Sequence, residues 1–385
     1  MRILTLSTLF PSTTRPNFGI FVERQTAALS GMRDFAVTVI NPIGVAPWPL
    51  SLLSSDVHPR SSNSVQWGEL NVYRPRFTAI PVIGGRFNPR VLARAVLPLA
   101  RRLHAETPFD LIDAEFFYPD GPAAMRLSDA LGIPFTIKAR GSDILYWGRR
   151  PDCLNQMLQA ARAASGLLAV SGALKADMVA LGMDEAKIAV HYTGLDPSRF
   201  ALRNRESEKA KLGVSGPLIL CVGALIPLKG QALLIGALAA LPGATLLLAG
   251  HGPAQSDYQA LAERLGVAGR VRFLGNVPHD DVPRLMAAAD VMALVSEREG
   301  LANAWVEALA CGTPVVASDV GGIRELIKTP EAGRIVERTP EAIAAAITDL
   351  LTNPPSREAV AASVSAFSWD KNARQLAAFF RRVAA

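Results

Sequence analysis

Short runs of Val, Ile, Leu and Ala recur along the chain, and between them lie longer segments in which apolar residues return every three or four positions. The short runs are bounded by Gly, Pro, Asn and Asp, the pattern of buried strands, and the longer segments have the helical period. In the first half this predicts strands at Ile3–Thr8, Ala36–Ile40, Leu111–Ala114, Phe135–Ala139 and Gly166–Val170, with helices near Ile20–Leu29, Gly121–Leu131 and Asp152–Ala163. In the second half it predicts strands at Leu218–Val222, Thr245–Ala249, Val271–Leu274, Val291–Val295 and Val315–Ala317. The longest apolar stretch, Ala232–Ala249, is broken at Pro242-Gly243 into a helical part and a strand, so no membrane span is expected. The opening MRILTLSTLF reads as a first strand rather than a signal peptide.

Strands alternating with helices of this length predict parallel sheets covered on both faces, an α/β class built from two tandem Rossmann-like, doubly wound domains. A chain of 385 residues is long enough for two full cores. The polar, turn-rich stretch Thr193–Gly216 is the candidate linker. The expected domains are therefore 1–196 and 197–368, followed by a long amphipathic helix from Trp369.

Composition changes this picture in one place. Half the residues are apolar and 19% are charged, as in an ordinary globular protein. The net charge of +6 is uneven: residues 1–200 hold 21 Lys and Arg against 16 Asp and Glu, leaving 19 against 18 for the rest. Between Tyr73 and Ala105 stand seven arginines, Arg74, Arg76, Arg86, Arg90, Arg94, Arg101 and Arg102, and no acid. A helix over Pro89–His104 puts Arg90, Arg94 and Arg101 on one side, with Pro98 a point where it could kink; such a face suits an anionic membrane surface or is a solvated face of a core helix. No nucleic-acid partner is expected. The three cysteines, Cys153, Cys221 and Cys311, have no metal-ligand spacing and no disulfide pattern, which fits a reducing cytoplasm.

The chemistry concentrates in Ser296–Glu325. Glu299 and Glu307 stand eight positions apart, on either side of a predicted helix start. Gly300-Leu301-Ala302-Asn303 between them is loop-like, and Asn303 is a good capping residue for a helix over Ala304–Ala310. A helix N-terminus offers unpaired N–H groups and a positive dipole end to a diphosphate. One carboxylate before that seat and one a turn inside it can grip hydroxyls on the two sides of the phosphates, a geometry for a nucleotide-sugar. The bland alternative is a solvated Glu, a capping Glu and an ordinary β-α-β unit. Upstream, Gly223 follows a predicted strand and is expected to allow a tight turn, and Lys229 arrives near a helix start where a point charge can meet a phosphate. Gly19, at the first strand-to-helix turn, allows close backbone approach to a phosphate.

The Ser296–Glu325 segment, with its E-x7-E spacing followed by Ala310-Cys311-Gly312-Thr313-Pro314-Val315-Val316, resembles the donor-binding signature of retaining family 4 glycosyltransferases. Gly223 to Gly230 resembles the family's G-R-L-x-x-x-K-G loop, with Lys229 in place and Ala224 where the Arg is usual. Gly250-His251-Gly252-Pro253 resembles its G-x-G-P turn, and Phe273-Leu274-Gly275-Asn276-Val277 its F-L-G-x-V segment. The N-terminal half, through Asn17–Gln25, Asp113–Gly121 and Ala139–Asp143, resembles a branch that includes transferases of teichuronic acid and other surface polysaccharides; Glu115 and Arg140 stand where many relatives have His.

The resemblance implies the GT-B fold with an inter-domain cleft, a donor-binding C-terminal domain, an acceptor-side N-terminal domain, and a final helix, 369–385, that packs back onto the latter. It implies that Glu299 contacts the transferred sugar, Glu307 the ribose diol and Lys229 the diphosphate. Gly19 and the Gly300–Asn303 backbone would complete the phosphate cradle, with Gly223, Gly252, Leu274 and Val277 along the nucleotide. Glu115 is a candidate to orient a sugar hydroxyl or act as a base, or it merely pairs with an Arg. The sequence has no Asp-x-Asp pattern, Asp280 and Asp281 being adjacent, so no metal is expected and Lys229 with helix dipoles would carry the leaving-group charge. The expected activity is transfer of a hexosyl or N-acetylhexosaminyl group to a saccharide or lipid-linked saccharide, by a cytoplasmic protein at the inner membrane face. A sugar-nucleotide epimerase and a non-catalytic nucleotide-sugar-binding protein are the rivals.

Overall fold

A computed structural model describes residues 1–46, 65–79 and 85–384, so 80–84 of the arginine-rich stretch lie outside the described residues. The chain divides into two units, Met1–Gly194 with Trp369–Ala385, and Leu195–Ser368.

In the first unit eight strands form one sheet, in the order Ile188–Val190, Gly166–Ala169, Phe135–Ala139, Leu111–Ala114, Arg2–Leu6, Ala36–Ile40, Leu70–Tyr73 and Val65–Trp67. All neighbours run parallel except the last pair. The central strands are almost wholly buried, because helices cover both faces, yet they carry the buried polar residues Thr5, Asp113, Thr136 and Lys138 among their apolar ones. Leu6 pairs with Ile40 and Ala114, and Ala114 with Ile137, so these strands end at nearly one level. Ser7, Asn41, Glu115 and Arg140 therefore leave the same edge of the sheet. The helix Trp369–Ala384 belongs to this unit: Leu376, Ala377, Phe379 and Phe380 join Val22, Leu29, Phe35 and Val37 in one buried cluster. Phe379 sits so close to the Gly166 strand start that a Cβ there would fall 2.6 Å from its ring.

The second unit holds six parallel strands, in the order Val271–Gly275, Thr245–Ala249, Leu218–Val222, Val291–Leu294, Val315–Ser318 and Gly333–Val336. Chain order runs outward in one direction from Leu218–Val222 and then restarts beside it at Val291–Leu294. That reversal is a topological switch point, and the two loops leaving it are those that carry Lys229 and Glu299.

Two expectations are corrected. Thr193–Gly216 is not a free linker: it contains the helix Arg205–Lys211, and Lys209 lies 2.6 Å and Arg205 3.7 Å from Asp290, next to the Val291–Leu294 strand. Asn303 does not cap the helix; it is the first residue of Asn303–Ala310, and Ala302 at the cap position offers no side-chain acceptor. The basic helix spans Asn88–Glu106 and continues through the exposed Pro98. All three cysteines are free and buried.

Candidate nucleotide-sugar site

Beyond the Leu218–Val222 strand the chain makes a loop, a single tight turn Pro227–Lys229, and the helix Gln231–Leu238. Gly230, at φ 77°, presses this loop onto the end of the neighbouring strand: a Cβ there would lie 2.5 Å from the Val295 carbonyl. The Glu297 N–H donates to Leu228 O at 2.8 Å and fixes the two loops together. Lys229 Nζ then donates to Glu299 Oε1 at 2.5 Å, with the two side chains 21% and 13% exposed. The structure thus brings these two residues into direct contact.

Glu299 is gripped from behind as well. Gly321, at φ 52°, passes so close that a Cβ would stand 2.4 Å from the Glu299 carbonyl oxygen, and Gly322 N–H donates to Gly300 O at 2.8 Å. Leu301 and Ala302 are buried, which anchors the loop before Asn303–Ala310 begins. No side chain caps the helix, and within its first turn the Trp305 N–H donates to Ala302 O at 3.1 Å. Glu307 lies one turn inside, half-buried, with its Oε1 3.4 Å from His279 Nε2.

Gly223 is not the tight point of its loop. Its φ is ordinary, and a Cβ there would find its nearest atoms 3.9 Å away. The close approach is made by the facing turn: Cβ atoms on Gly250 and Gly252 would lie 1.9 Å from Gly223 O and 2.3 Å from Leu225 O. Leu225 N–H donates to His251 O, and the buried Gln231 Nε2 donates to Ala224 O at 2.8 Å, so this turn and the Lys229 loop are one knitted body. Leu274 and Val277, in and just past the Val271–Gly275 strand, are half-buried. Arg298, next to Glu299, stands 3.8 Å from Glu297 Oε1.

In the first unit Gly19 adopts φ 71° as the residue before the helix Ile20–Ser30, and a Cβ on it would lie 2.5 Å from the Leu9 backbone. Its need for glycine is met by that contact with the Leu9–Phe10 backbone. Glu115 is fully buried, and its two carboxylate oxygens accept from Gln25 and from Arg140. Burial pushes its carboxyl pKa up, but the Arg140 and Lys138 charges outweigh that and hold it below the usual range. The ion-pair reading of Glu115 is the one the geometry supports, and a solvent-facing base is not what stands there.

Sequence reasoning missed the rest of this cluster. Lys138 Nζ donates to Gln25 Oε1 at 2.5 Å and to His191 Nδ1 at 2.6 Å, and His191 Nε2 donates to the Asn372 carbonyl at 2.9 Å. Burial, and then Arg140, drive the Lys138 ammonium well below its ordinary pKa; burial, and then Lys138, do the same to His191. The line ties the strand ends of the first unit to the C-terminal helix. Glycines 230, 250 and 321, along with His279, were also missed as parts of the site; a Gly-rich turn after each buried strand was the available signal.

Comparison with known proteins agrees with this geometry. Residues 26–199 match the model of Glycosyltransferase Family 4 and residues 203–376 that of Glycosyl transferases group 1. The chain is 30% identical over 361 residues to a Bacillus subtilis (strain 168) protein named "Putative teichuronic acid biosynthesis glycosyltransferase TuaC", an alignment covering 90% of this chain and 88% of the other. Its fold is similar to that of sucrose-phosphate synthase from Thermosynechococcus elongatus, with a TM-score of 0.84 at 20% identity over 100% of this chain and 99% of the other. It is also similar to Anabaena HepE solved with UDP-glucose, with a TM-score of 0.77 at 22% identity over 99% and 100%. The two units are the tandem Rossmann-like domains of the GT-B fold, and the chain belongs to the group 1 and family 4 glycosyltransferases.

Proposed function

We propose that the chain moves a hexosyl or N-acetylhexosaminyl group from a nucleotide-diphosphate sugar to a saccharide or lipid-linked saccharide, with retained anomeric configuration and without a metal ion. The observation that carries this reading is the Lys229–Glu299 contact at the sheet switch point, followed at once by a helix start without a side-chain cap and by Glu307 one turn on. Lys229 would take the diphosphate, Glu299 the hydroxyls of the transferred sugar, and Glu307 the ribose diol. The Gly300–Asn303 backbone and the helix dipole add positive potential where the leaving diphosphate gains charge. Glu299 would steady an oxocarbenium-like state while departure and attack take place on the same face of the sugar. A solved neighbour of the same fold holds UDP-glucose, and the relative named for teichuronic acid synthesis supports a surface-polysaccharide role.

A membrane-bound acceptor is supported by the first unit's basic helix. Arg90, Arg94, Arg101 and Arg102 are exposed along Asn88–Glu106, and exposed Phe87 precedes them with the Arg86 guanidinium 4.7 Å from its ring centre. An aromatic beside exposed arginines suits a phospholipid interface. Among the described residues no helix is long and apolar enough to cross a membrane, so attachment would be peripheral. Calorimetric titration of a UDP-, GDP- and ADP-sugar panel tests the donor reading: one base and sugar should bind in micromolar range or tighter, and failure of the whole panel would overturn it. Co-sedimentation with vesicles containing phosphatidylglycerol, lost on replacing the four arginines by Glu, tests the peripheral attachment.

A further inference from the structure

We propose that Arg199 and His279 are positioning residues that hold Glu307 in place for the nucleotide ribose; the inference rests on the donor-site reading above. Arg199 belongs to a turn at the very start of the second unit. Asp196 builds that turn: its Oδ1 accepts from Ser198 N–H at 3.0 Å and from Ser198 Oγ at 2.6 Å, and its carbonyl accepts from Arg199 and Phe200 N–H. The turn presents Arg199 Nη2 to three acceptors on one neighbouring loop: His279 Nδ1 at 3.2 Å, His279 O at 3.2 Å and Asp280 Oδ1 at 2.5 Å. Phe200, buried beside it, meets the imidazole edge to face with ring centres 5.6 Å apart. The ring of His279 is therefore fixed on two sides.

The protonation pattern follows from donor inventory. A guanidinium only donates, so Nδ1 of His279 must accept, and the ring proton sits on Nε2. That N–H faces Glu307 Oε1 at 3.4 Å. At this length the bond is weak, and its contribution is orientation: it biases rotation of the carboxylate while leaving most of its acceptor capacity to a diol. The line Arg199–His279–Glu307 resembles the supporting partners that orient metal-bound or catalytic side chains, here serving a substrate-binding carboxylate. Neither Arg199 nor His279 belongs to the E-x7-E pattern, and they approach Glu307 from 108 and 28 positions away in the chain.

The test reads ribose recognition directly. UDP, GDP and ADP are titrated by calorimetry against their 2′-deoxy forms, with wild type, Glu307→Ala, His279→Ala, His279→Gln and Arg199→Ala. In wild type the preferred ribonucleotide should bind about tenfold or more tightly than its deoxy form, the usual scale for a hydroxyl given to a carboxylate. Glu307→Ala should bring the ratio near one. His279→Ala and Arg199→Ala should each lower it several-fold, and His279→Gln, which keeps a donor near the Nε2 position, should recover part of it. A merely structural role would change affinity for both nucleotides alike and leave the ratio untouched. Full discrimination in His279→Ala and Arg199→Ala, with loss only in Glu307→Ala, overturns the positioning role while sparing the donor site. An unchanged ratio in Glu307→Ala overturns the ribose reading, and the positioning role with it. If His279→Ala does not fold, Arg199→Ala and His279→Gln give the same decision.

Discussion

Lys229 is engaged by Glu299, and a diphosphate that takes Lys229 as its partner has to compete with that contact. The Lys229 ammonium donates to Glu299 Oε1 at 2.5 Å, and both groups are largely withdrawn from water. Hydrogen bonds to charged groups contribute about 1.5–3 kcal/mol net, and partial exposure lowers this to about 1–2 kcal/mol. A diphosphate that draws Lys229 away must offset that energy. Glu299→Gln removes the competing charge and keeps the side-chain shape, so UDP, GDP or ADP without a sugar should bind roughly 5- to 30-fold more tightly. The same variant should lose sugar transfer, because Glu299 would no longer offer a charged acceptor to the sugar. Isothermal titration of wild type, Glu299→Gln, Lys229→Met and the double variant separates the effects. Lys229→Met should weaken binding, and adding Glu299→Gln to it should then change little, since the competition needs the lysine. Equal nucleotide affinity in wild type and Glu299→Gln, with Lys229→Met clearly weaker, would refute the competition. No effect of Lys229→Met would refute the phosphate role itself.

Three further outcomes are expected. Glu115→Ala leaves Arg140 buried without its counter-charge, a loss of about 3–5 kcal/mol; denaturant unfolding should show it, and a change under about 1 kcal/mol would contradict the buried ion pair. Gly252→Ala, which drives a methyl against the Leu225 carbonyl, should unsettle the second unit and weaken nucleotide binding, whereas Gly223→Ala should be tolerated; thermal melts and titrations that ranked them the other way would refute this loop geometry. Burial raises the Asp120 carboxyl to about 8, against backbone and hydroxyl donation from Thr8. The folded chain therefore keeps a proton there that the unfolded chain releases near pH 4. The stability this confers is full below that point and is lost as pH climbs toward 8, at up to about 1.4 kcal/mol per pH unit. Asp120→Asn cannot ionise, so its stability relative to wild type should rise between pH 5 and 8 in urea titrations; a flat difference would argue against the raised pKa.

Reading from sequence to structure succeeded where one face or one strand decides the pattern. Leu218–Val222 and Thr245–Ala249 are buried on both faces, so their apolar runs stop where the chain meets Gly or water. Short edge pieces such as Val65–Trp67 and Arg76–Thr78 carry no such pattern, since they are largely exposed and three residues long. Arg205–Lys211 looked like linker because its charges find their partner, Asp290, only in three dimensions. The Lys229–Glu299 contact was foreshadowed by two separate motifs, but their meeting depends on the strand order, which no local pattern states. For Glu115 the decisive partners, Gln25 and Arg140, come from 90 and 25 positions away. The tight turn was assigned to Gly223 for a related reason: both Gly223 and the Gly250–Pro253 turn stand in motifs, but the steric demand falls on Gly250 and Gly252, which face Gly223 and Leu225 only in the folded chain.

The most direct test of the central claim is release of nucleoside diphosphate from UDP-, GDP- and ADP-sugars in the presence of a chelator, by wild type and by Glu299→Ala. Many transferases hydrolyse their donor slowly without an acceptor, so the acceptor need not be known. Release from one donor that is unaffected by the chelator and lost in Glu299→Ala is the predicted result. Release that depends on added metal, or that persists in Glu299→Ala, would contradict the account of how this site works.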